Sequence, residues 1–385
     1  MKAIVYHGKE SLKYETDYPE PEITNENDVK IKVHYCGICG SDLKEYLSGP
    51  FFFNEPGSTN PISNLKFPMV MGHEISGEVV KVGTNVTEFT KGDKVIVEVT
   101  GSCKDKYKYF EDSPTKDKES CHPCQEGFYN CCEYLALTGL GFSDGGCAEF
   151  LVTTKEKLIK FDEDKIPMDI AALIQPLSVS WHAVEVGKFE PGQSALILGG
   201  GPIGLTTIFA LKGHKAKNIV VSEPSLARRQ LAEKLGVKVY DPTGKSTEQC
   251  IEDLKKMTDD GYGYHHSFDC SGVSATFQTS IKTLRIRGTA TNVAVWAKKY
   301  IEYSPMETTM SEKIVTGSIC FVKSDFEQVV DSIQKGDIST DELRLMISSK
   351  IKLSDGIDKG FLELIHHKER HIKILFTPMD DLATN

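Results

Sequence analysis

The chain is 385 residues long, 39% hydrophobic and 26% charged, with a formal net charge of -10 and eleven cysteines. That length allows two domains or more with real cores, and 45 Lys and Arg against 55 Asp and Glu leave no cationic surplus for nucleic-acid phosphates. No apolar run approaches the ~18–20 residues of a membrane helix, so no membrane partner is expected. The N-terminus, Met1-Lys2-Ala3-Ile4-Val5-Tyr6, is charged again at Lys9, too soon for a signal-peptide core. Without a leader, the cysteines are expected as metal ligands and buried thiols rather than disulfides, in a cytoplasmic protein. The C-terminal Ala383-Thr384-Asn385 is not a peroxisomal signal.

Short Val- and Ile-rich runs at 1–5, 29–35, 78–82 and 94–99, punctuated by Gly, Pro, Asn and Asp, predict strands of a small barrel or sandwich. A loop over 51–68 carries Phe51-Phe52-Phe53, which either covers a core or lines an apolar pocket mouth. Between Cys103 and Cys121, ten of 17 residues are charged, the composition of a solvated loop. From about Ile166 the pattern alternates. Strands are predicted at 195–198, 219–222, 237–240, 267–270 and 289–295, with helices at 203–212, 226–235, 250–258 and 275–284. Such alternation predicts a parallel sheet covered by helices. A last helix over 325–335 places Phe326, Val329, Val330 and Ile333 on one face. The apolar strand at 372–376 is expected to return to the first domain.

The turn after the strand at 195–198 reads Gly199-Gly200-Gly201-Pro202-Ile203-Gly204 and leads into a helix. Glu223 follows 19 positions after Gly204, at the end of the next strand. This is the full context of a dinucleotide-binding fingerprint. Gly199 allows the tight turn, Gly201 lets a pyrophosphate approach the backbone, and Gly204 lets helix and strand pack closely. The helix N-terminus offers free N–H groups to the phosphates. Glu223 would accept the adenosine ribose hydroxyls and repel a 2′-phosphate, which favours NAD over NADP. Arg228 and Arg229, further along the helix, weaken that preference only slightly.

Two clusters carry metal-ligand chemistry. Cys121-His122-Pro123-Cys124, with Cys132 after it and Cys103 before it, supplies four thiolates for a closed tetrahedral zinc site. Cys131 competes with Cys132 as fourth ligand, and Cys132 is preferred. The second cluster pairs Cys39, in Cys39-Gly40-Ser41-Asp42, with His73, in Gly72-His73-Glu74. A soft thiolate and a neutral imidazole suit zinc, and Asp42 is placed to hold the second ring nitrogen of His73.

Together these motifs resemble the zinc-containing medium-chain alcohol dehydrogenase family. Gly72-His73-Glu74-x-x-Gly77-x5-Gly83-x-x-Val86 is similar to its zinc signature, and the four-cysteine lobe and Gly-rich turn fall in its order. Within the family the chain resembles the fungal butanediol dehydrogenases, through 36–43, Pro176-Leu177-Ser178-Val179, Trp181-His182-Ala183, Asp269-Cys270-Ser271-Gly272 and 288–292. The resemblance implies an α/β architecture in which a doubly wound Rossmann NAD-binding domain (166–319) is inserted into a GroES-like β-barrel catalytic domain (1–165, joined by 320–385). It implies Cys39 and His73 as catalytic zinc ligands, Ser41 as proton-relay hydroxyl, Asp42 orienting His73, and Glu74 as a carboxylate that approaches the metal. Homodimers through the Rossmann domains are implied as well. The implied substrates are 2,3-butanediol, acetoin and diacetyl. The alternatives are a sorbitol- or xylitol-like polyol, or a catalytically weakened NAD-binding protein. Two positions depart from the pattern: Gln175 stands where relatives carry Glu, and Lys44 where they often carry His. A neutral amide at 175 predicts weaker zinc binding and a more acidifying site, with Glu74 as the candidate replacement ligand. Lys44 is expected to be solvated.

Overall fold

The computed structural model describes residues 1–384 except 56, 107, 109–112 and 297–299, so the charged segment between Cys103 and Cys121 is covered only in part. The chain divides into two compact units. The first comprises Met1–Gln175, Val322–Gln334 and Ile347–Asn385, and the second Pro176–Phe321 and Lys335–Met346.

The first unit is mostly β structure. Its strands are β1 (Ala3–Gly8), β2 (Ser11–Glu15), β3 (Asp28–Gly37), β4 (Met69–Val70), β5 (Glu74–Val82), β6 (Lys94–Val97), β7 (Thr100–Gly101), β8 (Ala136–Thr138), β9 (Gly141–Ser143), β10 (Phe150–Thr154) and β11 (Leu158–Lys160). Three short helices join them: α1 (Gly40–Ser48), α2 (His122–Gln125) and α3 (Met168–Ala171). On β3 the alternating Val29, Ile31 and Val33 are wholly buried, the period of a strand with a core face. The helix α4 (Ile174–Val186) then carries the chain into the second unit.

The second unit contains β12 (Ser194–Leu198), α5 (Pro202–Gly213), β13 (Asn218–Ser222), α6 (Leu226–Lys234), β14 (Lys238–Tyr240), α7 (Thr247–Lys256), β15 (Tyr264–Asp269), α8 (Ser274–Lys282), β16 (Leu284–Asn292), α9 (Met306–Thr309) and β17 (Ile314–Gly317). These strands form a parallel sheet in the order β14-β13-β12-β15-β16-β17, the doubly wound order of dinucleotide-binding folds. Leu196, Ile197 and Leu198 on the central strand are buried on both faces, which is why this strand reads as an unbroken apolar run.

The chain then returns to the first unit through α10 (Lys323–Gln334), visits the second with α11 (Thr340–Arg344), and ends in the first with β18 (Ile347–Lys352) and β19 (Lys373–Thr377). In the first unit the main sheet runs β11-β6-β5-β3-β19-β18, with β10 on β3, so β3 lies between β5 and the C-terminal β19.

The boundaries differ from those expected in two places, each with a visible cause. The first unit continues to Gln175 because Ser76 Oγ donates to Met168 O at 2.7 Å and Lys350 pairs with Asp169 at 2.6 Å. The segment 335–346 joins the second unit through the pairs Lys212–Glu342 (2.6 Å) and Lys215–Asp337 (2.5 Å). Leu284, expected to end a helix, begins β16 instead, and that strand stops at Asn292.

Candidate active site

Three strand ends meet where β3 finishes, β5 begins and β19 begins. Cys39 caps the N-terminus of α1, and its N–H donates to Asp42 Oδ2 at 2.9 Å. Asp42, 1% exposed, turns its other oxygen to His73 Nδ1 at 3.1 Å. One carboxylate thus caps the helix that carries Cys39 and faces the imidazole. Ser41 Oγ lies 3.3 Å from the other ring nitrogen, His73 Nε2. Burial disfavours a charged His73, yet Asp42 and Cys39 outweigh it and hold its pKa well above the ordinary histidine range.

Gly72, just before His73, has φ +98°, and a Cβ there would lie 2.5 Å from the sulfurs of both Cys36 and Cys147. Only glycine fits. Glu74 is paired with Gly37 across β3 and β5, and a Cβ on Gly37 would meet Glu74 Oε2 at 2.0 Å. The Glu74 carboxylate is wholly buried, and Lys373 on β19 grips both its oxygens at 2.6 and 2.7 Å. Donor atoms of Cys39, His73 and Glu74 all lie within 4.8 Å of one another. Thiolate, imidazole and carboxylate at this spacing fit a zinc ion. Gln175 lies buried in the first turn of α4 and hydrogen-bonds to none of Cys39, His73 and Glu74.

The second cluster is more regular. The sulfurs of Cys103, Cys121 and Cys132 are mutually 3.7 Å apart, and Cys124 completes the group. Zinc–sulfur bonds of about 2.3 Å in a tetrahedron place sulfurs roughly 3.8 Å apart, whereas a disulfide needs about 2.05 Å. The spacing fits a metal and excludes a disulfide. Backbone N–H groups of Cys121 and Tyr134 point at the sulfurs of Cys103 and Cys132 at 3.5 and 3.4 Å, a favourable setting for thiolates. Cys131 is exposed and outside the group, while Cys132 is buried within it.

In the second unit the Gly-rich turn has the geometry that its sequence implies. Gly199 adopts φ +103°, and a Cβ on Gly204 would fall 1.8 Å from Gly199 O, so helix and strand pack as closely as glycine allows. Gly201 caps α5, and among the described residues beyond its chain neighbours the place of its missing Cβ is approached within 4 Å by Nη1 of Arg228 alone, at 3.7 Å. The helix N-terminus is therefore open to a phosphate. Glu223 is buried, and its two oxygens accept the N–H groups of Gly200 (2.6 Å) and Ser225 (2.7 Å). Each oxygen keeps a lone pair for a ribose hydroxyl. Arg229 is tied to Asp241 at 2.6 Å and to the carbonyls of Glu223 and Pro224. Arg228 Nε is buried without a hydrogen-bond partner among the described residues.

Comparison with known proteins shows the family and the fold. The model of the alcohol dehydrogenase GroES-like domain matches residues 25–163, and that of the zinc-binding dehydrogenase domain matches 202–335. The chain is 46% identical over 378 residues to the (R,R)-butanediol dehydrogenase of Saccharomyces cerevisiae, covering 98% of each. It is 45% identical to that yeast's probable diacetyl reductase [(R)-acetoin forming] 2, covering 98% of this chain and 90% of the relative. The crystal structure of 2R,3R-butanediol dehydrogenase from Bacillus subtilis superimposes with a TM-score of 0.85 at 33% identity, over 98% of this chain and 99% of that one. The chain belongs to the zinc-dependent medium-chain alcohol dehydrogenase family.

Three features of this dehydrogenase were not foreseen from its sequence. Lys373 lies 299 residues from Glu74, and the one available signal was a lysine inside an apolar strand. Of the triple phenylalanine, Phe53 covers the core, 4.9 Å from Tyr6 and 5.1 Å from Phe67 between ring centroids, while Phe51 is 53% exposed. Lys44 is not simply solvated, because its ammonium sits 4.4 Å from the Phe51 ring centroid.

Proposed function

We propose that this dehydrogenase transfers hydride between NAD(H) and a small secondary alcohol or ketone, namely 2,3-butanediol, acetoin or diacetyl. The observation that carries the substrate class is the 46% identity to a butanediol dehydrogenase over 98% of both chains. In this reading Cys39 and His73 hold one zinc with Glu74 as the candidate third ligand, and Cys103, Cys121, Cys124 and Cys132 hold a second. The first zinc supplies a Lewis acid for the substrate oxygen, and NAD supplies the hydride acceptor.

The remaining tasks fall to side chains of this protein. Asp42, 3.1 Å from Nδ1, fixes the His73 tautomer and leaves the Nε2 lone pair free. Ser41 Oγ, 3.3 Å from Nε2, is the group that takes or returns the substrate hydroxyl proton. Glu223 binds the adenosine ribose and keeps out a 2′-phosphate, while the amides at the start of α5 receive the pyrophosphate.

The assembly we favour is a homodimer through the second unit. Its edge strand β17 leaves Ile314 and Val315 exposed, and an exposed apolar edge is a template for pairing with a second copy. A single-chain mass in sedimentation at micromolar concentration would discard the dimer. The eleven cysteines are all free, which favours a reducing compartment such as the cytoplasm.

The test of the function is a panel of kcat/KM values for butanediol stereoisomers, acetoin, diacetyl, sorbitol and xylitol, with NAD and NADP. The C4 compounds with NAD are expected to lead. A polyol in first place would move the substrate class, and equal use of NADP would remove the role given to Glu223.

A further inference from the structure

The second unit holds a cavity of about 240 Å³ at the N-terminal ends of β15, β16 and β17. The Gly199 turn and Glu223 lie at the opposite, C-terminal ends of their strands, where a dinucleotide binds. A bulge shapes the cavity. Tyr264 pairs with Leu284 and His266 with Thr289, so two steps along β15 face five along β16. The surplus residues of β16 fall out of the ladder, and among them Arg287 is held at φ +61°. Gly263, at φ +109°, lets the turn before β15 close on the bulge: a Cβ there would lie 2.3 Å from Thr283 O and 3.0 Å from Arg285 N. Backbone strain of this kind gathers at binding sites.

The charges around this cavity do not balance. Lys255 from the last turn of α7, Arg285 from the bulge and Lys313 from the turn before β17 line it, with Tyr262 and Ser311, and no described carboxylate does. Asp260 offsets part of the Arg285 charge, 3.2 Å from Nη2, while Nη1 lies 3.0 Å from His265 Nε2. Lys313 donates to Ile281 O at 2.9 Å, which leaves two of its three N–H groups. Among the described residues neither lysine forms an ion pair. Burial, and after it the Lys255 ammonium, hold the Lys313 pKa below the ordinary lysine range; Glu307 acts the other way. Two like charges thus share one cavity without a counter-charge.

We infer that this cavity is a second binding site, separate from that of the dinucleotide, for a phosphate group, either free or as a small monoester. A phosphate monoester carries about 1.5–2 negative charges near pH 7, which matches the two unpaired ammoniums, whereas a carboxylate supplies one. Its oxygens can take the donors left on Lys255, Lys313 and Arg285 and the hydroxyls of Tyr262 and Ser311. The volume falls below the ~300–1,000 Å³ of sites for drug-sized ligands, so a second dinucleotide does not fit. Leu284 and Ile286 complete the wall and offer apolar surface to a short carbon chain.

The test is calorimetric titration of the full chain with inorganic phosphate, at constant ionic strength and with saturating NADH so that the start of α5 is filled. One phosphate per chain is expected to bind to the wild type. Lys255→Gln and Lys313→Met should each weaken binding about tenfold or more. Lys256→Gln, which alters the exposed neighbour of Lys255 outside the cavity, should bind as the wild type. Methyl phosphate separates the two sources: tighter binding than inorganic phosphate assigns the site to a monoester, and weaker binding assigns it to free phosphate. No uptake by the NADH-saturated wild type would overturn the proposal, as would unchanged affinity in Lys255→Gln, an equal loss in Lys256→Gln, or acetate competing as well as phosphate. Should Lys313→Met not fold, Lys255→Gln, on the surface of α7, decides alone.

Discussion

Ser41 Oγ lies 3.3 Å from Nε2 of His73, the ring nitrogen left free by Asp42 on the other side. A hydroxyl there can pass a proton but is not needed to hold a metal. Ser41→Ala is therefore expected to keep both zinc ions and its affinity for NADH while losing about 10²–10⁴-fold in kcat. Ser41→Thr should retain most of the activity. Steady-state kinetics with zinc analysis checks this, and Ser41→Ala at full kcat would remove the relay.

The four-cysteine lobe gives a clean comparison between neighbours. Cys132 is buried with its sulfur 3.7 Å from those of Cys103 and Cys121, whereas Cys131 is exposed. Cys132→Ser should lose one zinc per chain and unfold at lower temperature, since structural zinc contributes directly to folding. Cys131→Ser should keep the zinc and the melting temperature. Metal analysis and thermal melts on the pair decide the matter, and the opposite pattern would exchange the two roles.

Gln175 is a neutral amide where the family resemblance implies a carboxylate. On the proposed reading that position 175 faces the catalytic zinc, Gln175→Glu adds a negative charge there and is expected to hold zinc more tightly. The same change should move the alkaline-side rise in kcat/KM to higher pH. Zinc retention during dialysis and the pH–rate profile are the measurements. An unchanged retention together with an unchanged profile would show that position 175 does not face the metal.

His266 in β15 links pH to stability. Burial, and to a lesser extent the neighbouring His265, lower its pKa to about 4, while its Nε2 lies 2.8 Å from Gln193 Oε1. Unfolded histidine titrates near 6.5. Between these values the unfolded chain binds the extra proton, so stability falls as pH falls from 6.5 toward 4 and is complete above 6.5. The loss between pH 7 and pH 5 is about 2 kcal/mol. Urea midpoints across this range should fall more steeply for the wild type than for His266→Leu. Parallel curves would exclude His266 as the cause.

Much of the fold could be read from the chain because its strands and helices have strong local periods. The sheet of the second unit is one such case: β12 is an unbroken apolar run, and its Gly-rich turn and Glu223 fall at the spacing a dinucleotide requires. Helix α1 was missed because it buries Asp42 and Glu45 and so shows no apolar stripe. Helix α4 was missed for the opposite reason, being buried nearly all round with Pro176 in its first turn. At the site, Cys39, His73 and Asp42 announced themselves through motif chemistry, and the choice of Cys132 over Cys131 needed the burial of each. Lys373 could not be found from spacing, because the β3–β19 pairing that brings it to Glu74 joins the two ends of the chain.

NADH consumption with diacetyl, measured on protein shown to carry two zinc ions per chain and repeated on Cys39→Ser, tests the central claim most directly. The wild type is expected to oxidise NADH with diacetyl or acetoin, and Cys39→Ser to retain one zinc, bind NADH and turn over neither ketone. Fully zinc-loaded wild type that binds NADH yet reduces neither compound, or Cys39→Ser at wild-type rate, would contradict it.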